Sequence, residues 1–274
     1  MHLFALIAVT MCAFAANSVL SRAGIFTYGM DPIGFSGVRL FSGAVMLAVL
    51  VSLRGRWPRV DIARALTAGS LVLYLVPFSI AYVTLPSGVG ALILFGVVQI
   101  TMFAGSCVAG TLPTSRQWGG MAVAMVGLGW LLWPSEALTL DMIGVAFMIV
   151  SGIGWGIFSL RGRGSRDPLG DMALSFELCT PIALILILMG GGWAPVGVSI
   201  AILAGAVTSG LGYALWYRVL PQITATTGAV AQLSVPVIAI IAGAFLLSEA
   251  VTFDIILASA VVLGGIAVSV LKQG

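Results

Sequence analysis

The sequence predicts an all-α membrane protein: ten transmembrane helices arranged as two five-helix inverted repeats around a central cavity. Three observations carry that expectation. Of the 274 residues, 60% are hydrophobic and 8% charged, with a mean hydropathy of +1.17, whereas a soluble domain carries about 25% charged residues. Residues 65–115 and 178–217 contain no formal charge, and each stretch holds two helices if one span takes roughly 20 apolar residues. The tetrapeptide Asp31-Pro32-Ile33-Gly34 returns as Asp167-Pro168-Leu169-Gly170, and both open a long apolar run. A β-barrel would alternate apolar with polar residues, which ALILFGVV and VPVIAIIAGAFLL do not.

Breaks at Gly, Pro and charge clusters divide the chain. Segment 1 spans 3–21. Its Ala-rich end resembles a secretory cleavage site, but no positive region precedes it, so it is kept as a helix. Segment 2 (33–53) runs from the first Asp-Pro to the arginines that begin at Arg54. Segments 3 (64–85) and 4 (89–110) are joined by Pro86-Ser87-Gly88, too short for anything but antiparallel neighbours. Segment 5 (115–133) and segment 6 (141–160) flank Glu136. Segment 7 (170–190) follows the second Asp-Pro. Segments 8 (197–217) and 9 (224–247) meet at Pro221-Gln222, and segment 10 (253–271) ends the chain.

Lys and Arg set the orientation. Of the 12 such residues, all except Arg22 and Arg39 fall on one side of a ten-helix layout: Arg54, Arg56, Arg59, Arg64, Arg116, Arg161, Arg163, Arg166, Arg218 and Lys272. Asp31, Glu136, Asp141, Glu249 and Asp254 fall on the other. Both termini are therefore expected in the cytoplasm of a multi-pass cell (inner) membrane protein. The net charge of +3 and pI of 9.0 reflect this bias, and no nucleic-acid partner is expected. Cys12, Cys107 and Cys179 all lie within apolar runs and are expected to be small buried hydrophobes.

Shifting the chain by 136 residues aligns more than the Asp-Pro pair. Leu66-Thr67-Ala68-Gly69-Ser70 meets Ile202-Leu203-Ala204-Gly205-Ala206, and Tyr82 followed by Pro86 resembles Tyr217 followed by Pro221. With a small adjustment, Val126-Gly127-Leu128 falls over Gly264-Gly265-Ile266. Their common order divides the chain into 1–136, segments 1–5, and 137–274, segments 6–10. Five is odd, so consecutive repeats lie in opposite senses across the bilayer, with a solute site expected near the midplane between them.

Ten segments as five plus five, Asp31-Pro32 followed by Arg39, Pro236 then Leu246-Leu247-Ser248-Glu249, and Gly264-Gly265 in the last segment resemble the drug/metabolite transporter superfamily, EamA type. The chain departs from that pattern at Gly110-Thr111, where a Gly-Glu is usual, near Val98, where a Pro is usual, and at Phe14-Ala15-Ala16-Asn17, where Trp-Gly-x-Asn is common. Within the superfamily it is most similar to the YddG-type amino-acid exporters. That resemblance implies a central cavity faced by both halves, export by alternating access, and amino acids, aromatic ones among them, as the small-molecule cargo. No cofactor or metal is implied, and a monomer in the lipid bilayer is the expected state.

Candidate path-lining residues follow from type and spacing. Tyr74, Phe78 and Tyr82 share one face of segment 3, and Tyr213, Trp216 and Tyr217 form a similar group on segment 8. Aromatic faces hold apolar side chains and ammonium groups; ordinary packing or an interfacial belt is the alternative. Asn17, Gln99 and Gln232 are amides in apolar runs, which must face protein or water; interhelical hydrogen bonding is their other use. Trp155 sits among Gly152, Gly154 and Gly156. Structural or gating roles are expected at Arg39, Pro77, Glu177 and Pro236. Arg39 either snorkels or reaches an outer-side acid such as Asp31, Glu249 or Asp254. Glu177, an acid well inside a span, is a proton carrier or a residue of a cytoplasmic vestibule. Pro77 and Pro236 are static kinks or hinges.

Other classes fare less well. No Walker A motif is present, so ATP is not hydrolysed by these residues. The only His is His2 and the only Lys is Lys272, which leaves no multi-histidine metal site and no Ser-His or Ser-Lys dyad within the spans for an intramembrane enzyme. A multidrug or other metabolite exporter and a lipid flippase remain open alternatives.

Overall fold

The structure is a computed structural model that describes residues 2–270 except Arg56, Pro58, Arg59, Asp61, 111–113, 134–138, Arg163, Gly164, 220–221, 224–227 and 229–230. The orientation arguments from Arg56, Arg59, Glu136, Arg163 and Lys272, and the Pro221 corner, lie outside the described residues. What is described is helical: α1 (His2–Arg22) continuing as a π-helical turn (Ala23–Thr27), α2 (Pro32–Arg54), α3 (Ile62–Ala81), α4 (Ser87–Val108), α5 (Ser115–Leu132), α6 (Met142–Gly162), α7 (Pro168–Leu178), α8 (Thr180–Met189), α9 (Pro195–Leu203) running through a π-helical stretch (Ala204–Leu211) into α10 (Gly212–Val219), α11 (Ser234–Leu247) and α12 (Phe253–Val270). Six helical runs are long and apolar enough to cross a membrane, a seventh is the bent pair α7–α8, and α11 and α12 are shorter apolar helices.

The repeated Asp-Pro-x-Gly has a local physical cause. Pro at the first helical position loses no hydrogen bond and fixes φ for the helix. The preceding Asp caps it: Asp31 Oδ2 accepts from Gly34 N at 2.8 Å, and Asp167 Oδ1 from Gly170 N at 3.2 Å. α2 ends on Gly55 at φ +72°, the left-handed closure that glycine adopts without strain.

Segment 7 is not one straight helix. It breaks at Cys179 and bends by 42°. Pro181 lacks the N–H that would bond the carbonyl of Glu177. Segment 8 instead carries the π-helical stretch, which wedges an extra residue into each turn. At segment 9, the chain turns at Leu233 before α11, and Pro236 sits in the first turn of that helix, with no N–H for the carbonyl of Gln232.

Small residues decide which helices meet, since close packing holds membrane helices together. A Cβ on Gly37 of α2 would meet Ala183 O and Ile187 N of α8 at 2.8 Å, and one on Gly120 of α5 would meet Gly265 O and Ser269 N of α12 at 2.5 Å. Gly88 of α4 lies likewise against Ile240 of α11, and Gly154 of α6 against the backbone of Tyr74 on α3. The pairings include α5 with α12, α3 with α6, α4 with α6, α2 with α7–α8 and with the π stretch, α4 with α11, and α1 with the π stretch and α10. α2 and α7–α8 run antiparallel. Arg54 at the end of α2 is ion-paired to Asp167 at the start of α7, while Gly34 at the start of α2 touches Gly190 just past α8. The two Asp-Pro starts therefore stand at opposite ends of one packed pair. Large apolar side chains such as Leu53, Leu188 and Phe245 project outward, as a lipid-facing surface requires.

Candidate functional site

Arg39 lies on α2 where that helix packs against the π stretch of segment 8, and is completely buried. Contrary to the expectation from the sequence, it neither snorkels nor bonds Asp31, Glu249 or Asp254. Its Nε donates to Ser209 Oγ at 3.0 Å, and its Nη2 to Tyr74 Oη at 3.3 Å and Tyr213 Oη at 3.2 Å. The guanidinium carbon lies 4.9 Å from the Phe78 ring centre, within cation–π range. Nη1 has no hydrogen-bond partner among the described residues. Gly205 explains how the helices come this close: a Cβ there would collide with the Arg39 carbonyl.

The two tyrosines join α3 to α10. Their hydroxyls are 2.9 Å apart. Asn17 of α1 completes the polar centre. Its Oδ1 accepts from Thr208 Oγ1 at 2.6 Å and from Ser209 Oγ at 3.2 Å. Both hydroxyls belong to the π-helical stretch, so that irregularity turns consecutive side chains onto one amide.

Aromatic rings wall this centre. Trp155 of α6 lies 4.8 Å from both Tyr74 and Tyr213, centre to centre, and stacks on Phe158 at 5.5 Å. Phe14 of α1 stands edge-on to Trp155, Tyr213 and Trp216, each at 5.7 Å. The Trp155 indole N–H has no acceptor among the described residues. Sequence reasoning brought Asn17, Tyr74, Phe78, Trp155, Tyr213 and Trp216 forward, and the fold gathers these. It missed Phe14, Phe158, Thr208 and Ser209. Thr208-Ser209 is a polar pair within the uncharged run of segment 8, and that was the available signal.

Other candidates lie elsewhere. Tyr82 lies at one end of the bundle, beside the start of α4, its hydroxyl donating to Ser87 O at 3.3 Å. Tyr217 is at the opposite end, against Gly162. Gln99 and Gln232 are buried, each with one amide atom unpartnered among the described residues. Pro77 lies inside α3, one residue before Phe78. Glu177 lines a groove of about 540 Å³ between α2 and the α7–α8 bend, with Phe41, Val45, Ser52 and Thr180.

At the Tyr82 end a second buried cation is handled differently. Arg22 Nε lies 3.6 Å from Glu249 Oε1, and Nη1 donates to the carbonyls of Tyr82 and Val83 at 3.0 and 2.9 Å. Glu249 also caps α4, accepting from Ser87 N at 2.8 Å and Ser87 Oγ at 2.6 Å. Pro86 supplies no side-chain cap there, so a residue from the other end of the sequence fills the role. Nearby, Asp141 caps α6, and the Gly144 N–H followed by the Thr84 hydroxyl hold its carboxyl below the usual carboxylate range.

Comparison with known proteins adds lineage. The sequence model of the EamA-like transporter family matches residues 142–271. A Pseudomonas aeruginosa relative described as "Uncharacterized protein PA1977" is 42% identical over 94% of this chain and 91% of its own length. An "Uncharacterized transporter" of Archaeoglobus fulgidus is 25% identical over 89% of this chain and 90% of its own. The "Uncharacterized transporter YoaV" of Bacillus subtilis is 22% identical over 90% and 89%. A solved crystal structure shares the fold with a TM-score of 0.71 at 16% identity, covering 97% of this chain and 98% of its own.

Proposed function

The chain belongs to the EamA-like transporter family, and from that premise we propose that it exports amino acids, aromatic ones among them, across the inner membrane by alternating access. The halves 1–136 and 137–274 are the two moving units, each of five spans in opposite sense, with both chain termini in the cytoplasm. The helix pairings support this reading. Exchanging segment n with n+5 maps 2 onto 7, 4 onto 9 and 5 onto 10, and these partners pack together; it maps the 3–6 pair onto the 8–1 pair, and both are packed. The family match to the second half alone supports the same boundary.

The observation that carries the proposal is the buried centre where α1, α2, α3, α6 and α10 converge. Helices from both halves contribute to it, and it contains a cation, two tyrosine hydroxyls and a tryptophan N–H in an apolar surround. Polar groups buried at mid-membrane depth are costly and mark solute paths. Asn17, Tyr74, Phe78, Trp155, Tyr213 and Trp216 contact the cargo. Tyr82, Gln99, Tyr217 and Gln232 line the approaches, and Pro77 and Pro236 let α3 and segment 9 flex. Glu177 faces the cytoplasmic groove.

Purified protein in liposomes should take up labelled amino acids saturably in a counterflow assay. Trp155→Ala and Tyr74→Ala should lower that flux at least about tenfold, the loss of one stacking or hydrogen-bonding contact, while eluting as folded protein. No saturable flux across a broad amino-acid panel contradicts the reading.

A further inference from the structure

Three of the other described arginines are paired with a carboxylate. Arg22 meets Glu249, Arg54 meets Asp167 and Arg64 meets Asp171. Arg39 is the most deeply buried of them, yet its described partners are neutral: three hydroxyls and the face of Phe78. Its Nη1 is left without a partner, and so is the Trp155 N–H across Tyr74. An interior cation normally needs a counter-anion as well as hydrogen bonds.

We propose that Arg39 is the anion-recognition group of the passage, a site for a carboxylate carried by the transported solute. This rests on the transporter reading above and adds the charge its cargo must bear. A guanidinium offers parallel N–H groups that match the two oxygens of a carboxylate. Ser209 holds the Nε edge, and Nη2 is directed at the tyrosines. Nη1 is already free to donate. Nη2 is held only by Tyr74 and Tyr213, whose hydroxyls also bond each other. A carboxylate arriving there takes Nη1 and Nη2 together, and the tyrosine hydroxyls turn to donate to it. The direct Tyr74–Tyr213 contact between the halves is then replaced by one through the carboxylate, which makes their contact depend on the cargo. A solute without a carboxylate leaves the cation unpaired and is rejected, because a site built for a polar group discriminates against ligands that lack it.

The test is thermal unfolding of the purified full chain, read by intrinsic tryptophan emission. The ligands are a panel of amino acids, their amides, the matching carboxylic acids without the amine, and sodium chloride at equal ionic strength. Acids with and without the amine should raise the melting temperature of the wild type, and the amides should act about 100-fold more weakly, the loss of a charge-assisted pair. Arg39→Gln should lose the preference and Arg39→Lys should keep it in weakened form. Without ligand, Arg39→Gln should melt within a few degrees of the wild type; a large drop would mark Arg39 as a structural tie.

Amides that match acids in the wild type overturn the proposal, as do acids that affect wild type and Arg39→Gln equally, including not at all. A chloride shift as large as that of the acids reduces the site to a general anion site and also overturns it. The acid–amide comparison on the wild type and Arg39→Lys decides the matter even if Arg39→Gln fails to fold. Flux of amides and acids alike would remove the carboxylate site and leave the transporter reading intact; absence of any flux would remove that reading itself.

Discussion

Arg22 and Arg39 are both buried, both on the first two helices, and they are built to opposite ends. Arg22 has a carboxylate, two backbone carbonyls and a ring, Phe26, at 3.5 Å. Its cluster ties α1, the end of α3, the start of α4 and the loop after α11 into one corner. Arg39 has hydroxyls and rings, one unpartnered nitrogen, and no carboxylate bonded to it among the described residues. A fully partnered buried cation is a fastening. Arg39 instead leaves a donor open, as the carboxylate site proposed above requires. The difference teaches that burial of charge alone does not identify a site; the completeness of its partners does.

The largest expected effect falls on the fastening. Glu249→Ala leaves Arg22 unpaired and uncaps α4, and should cost about 3 kcal/mol, seen as a lower melting temperature with or without solute. An unchanged melt would dissolve the distinction between the two arginines. Next comes Gly205→Ala, which drives a methyl into the Arg39 carbonyl. It should destabilise by about 1–3 kcal/mol without removing any polar group of the centre, and so separates packing from recognition. Asp31→Ala should cost about 1 kcal/mol through the lost cap of α2. Asp167→Ala should cost more, because Asp167 also pairs with Arg54.

Arg39→Met should be nearly neutral, within about 1 kcal/mol, because a buried charge replaced by a well-packed apolar chain is often tolerated. The smallest effect concerns Asp141. Its folded carboxyl titrates below the ordinary range, so its stabilisation is complete above about pH 4 and fades as pH falls through the lowered value. A wild-type melt that declines in acid more steeply than that of Asp141→Asn would confirm the sign.

Much of this architecture was legible in the residues. Asp-Pro-x-Gly marked two helix starts because capping and proline geometry are local. Tyr74, Phe78 and Tyr213 stood out because aromatic residues four apart share a helix face. That same spacing extends to Tyr82, beyond the end of α3. Eight residues along a helix carry it about 12 Å from Tyr74, out of the centre and into the corner that holds Arg22. Pro181 signalled the break at Cys179, but an unbroken apolar run obscured it. The partners of Arg39 were not legible. Ser209 and Tyr213 lie far along the chain, and only the close approach permitted at Gly205 and the π-helical stretch bring them to α2. Expecting Arg39 to seek an acid was sound chemistry applied to the wrong arginine: Arg22 is the one that finds Glu249.

The account depends most on two halves inserted in opposite senses around that centre. Membrane-impermeant thiol labelling tests it directly, in a background with Cys12, Cys107 and Cys179 replaced. Tyr28→Cys, just before α2, and Arg166→Cys, just before α7, are both at exposed positions. The account predicts that in sealed, oriented vesicles Tyr28→Cys reacts only from outside and Arg166→Cys only from the cytoplasmic face. Labelling of both from the same side would contradict it.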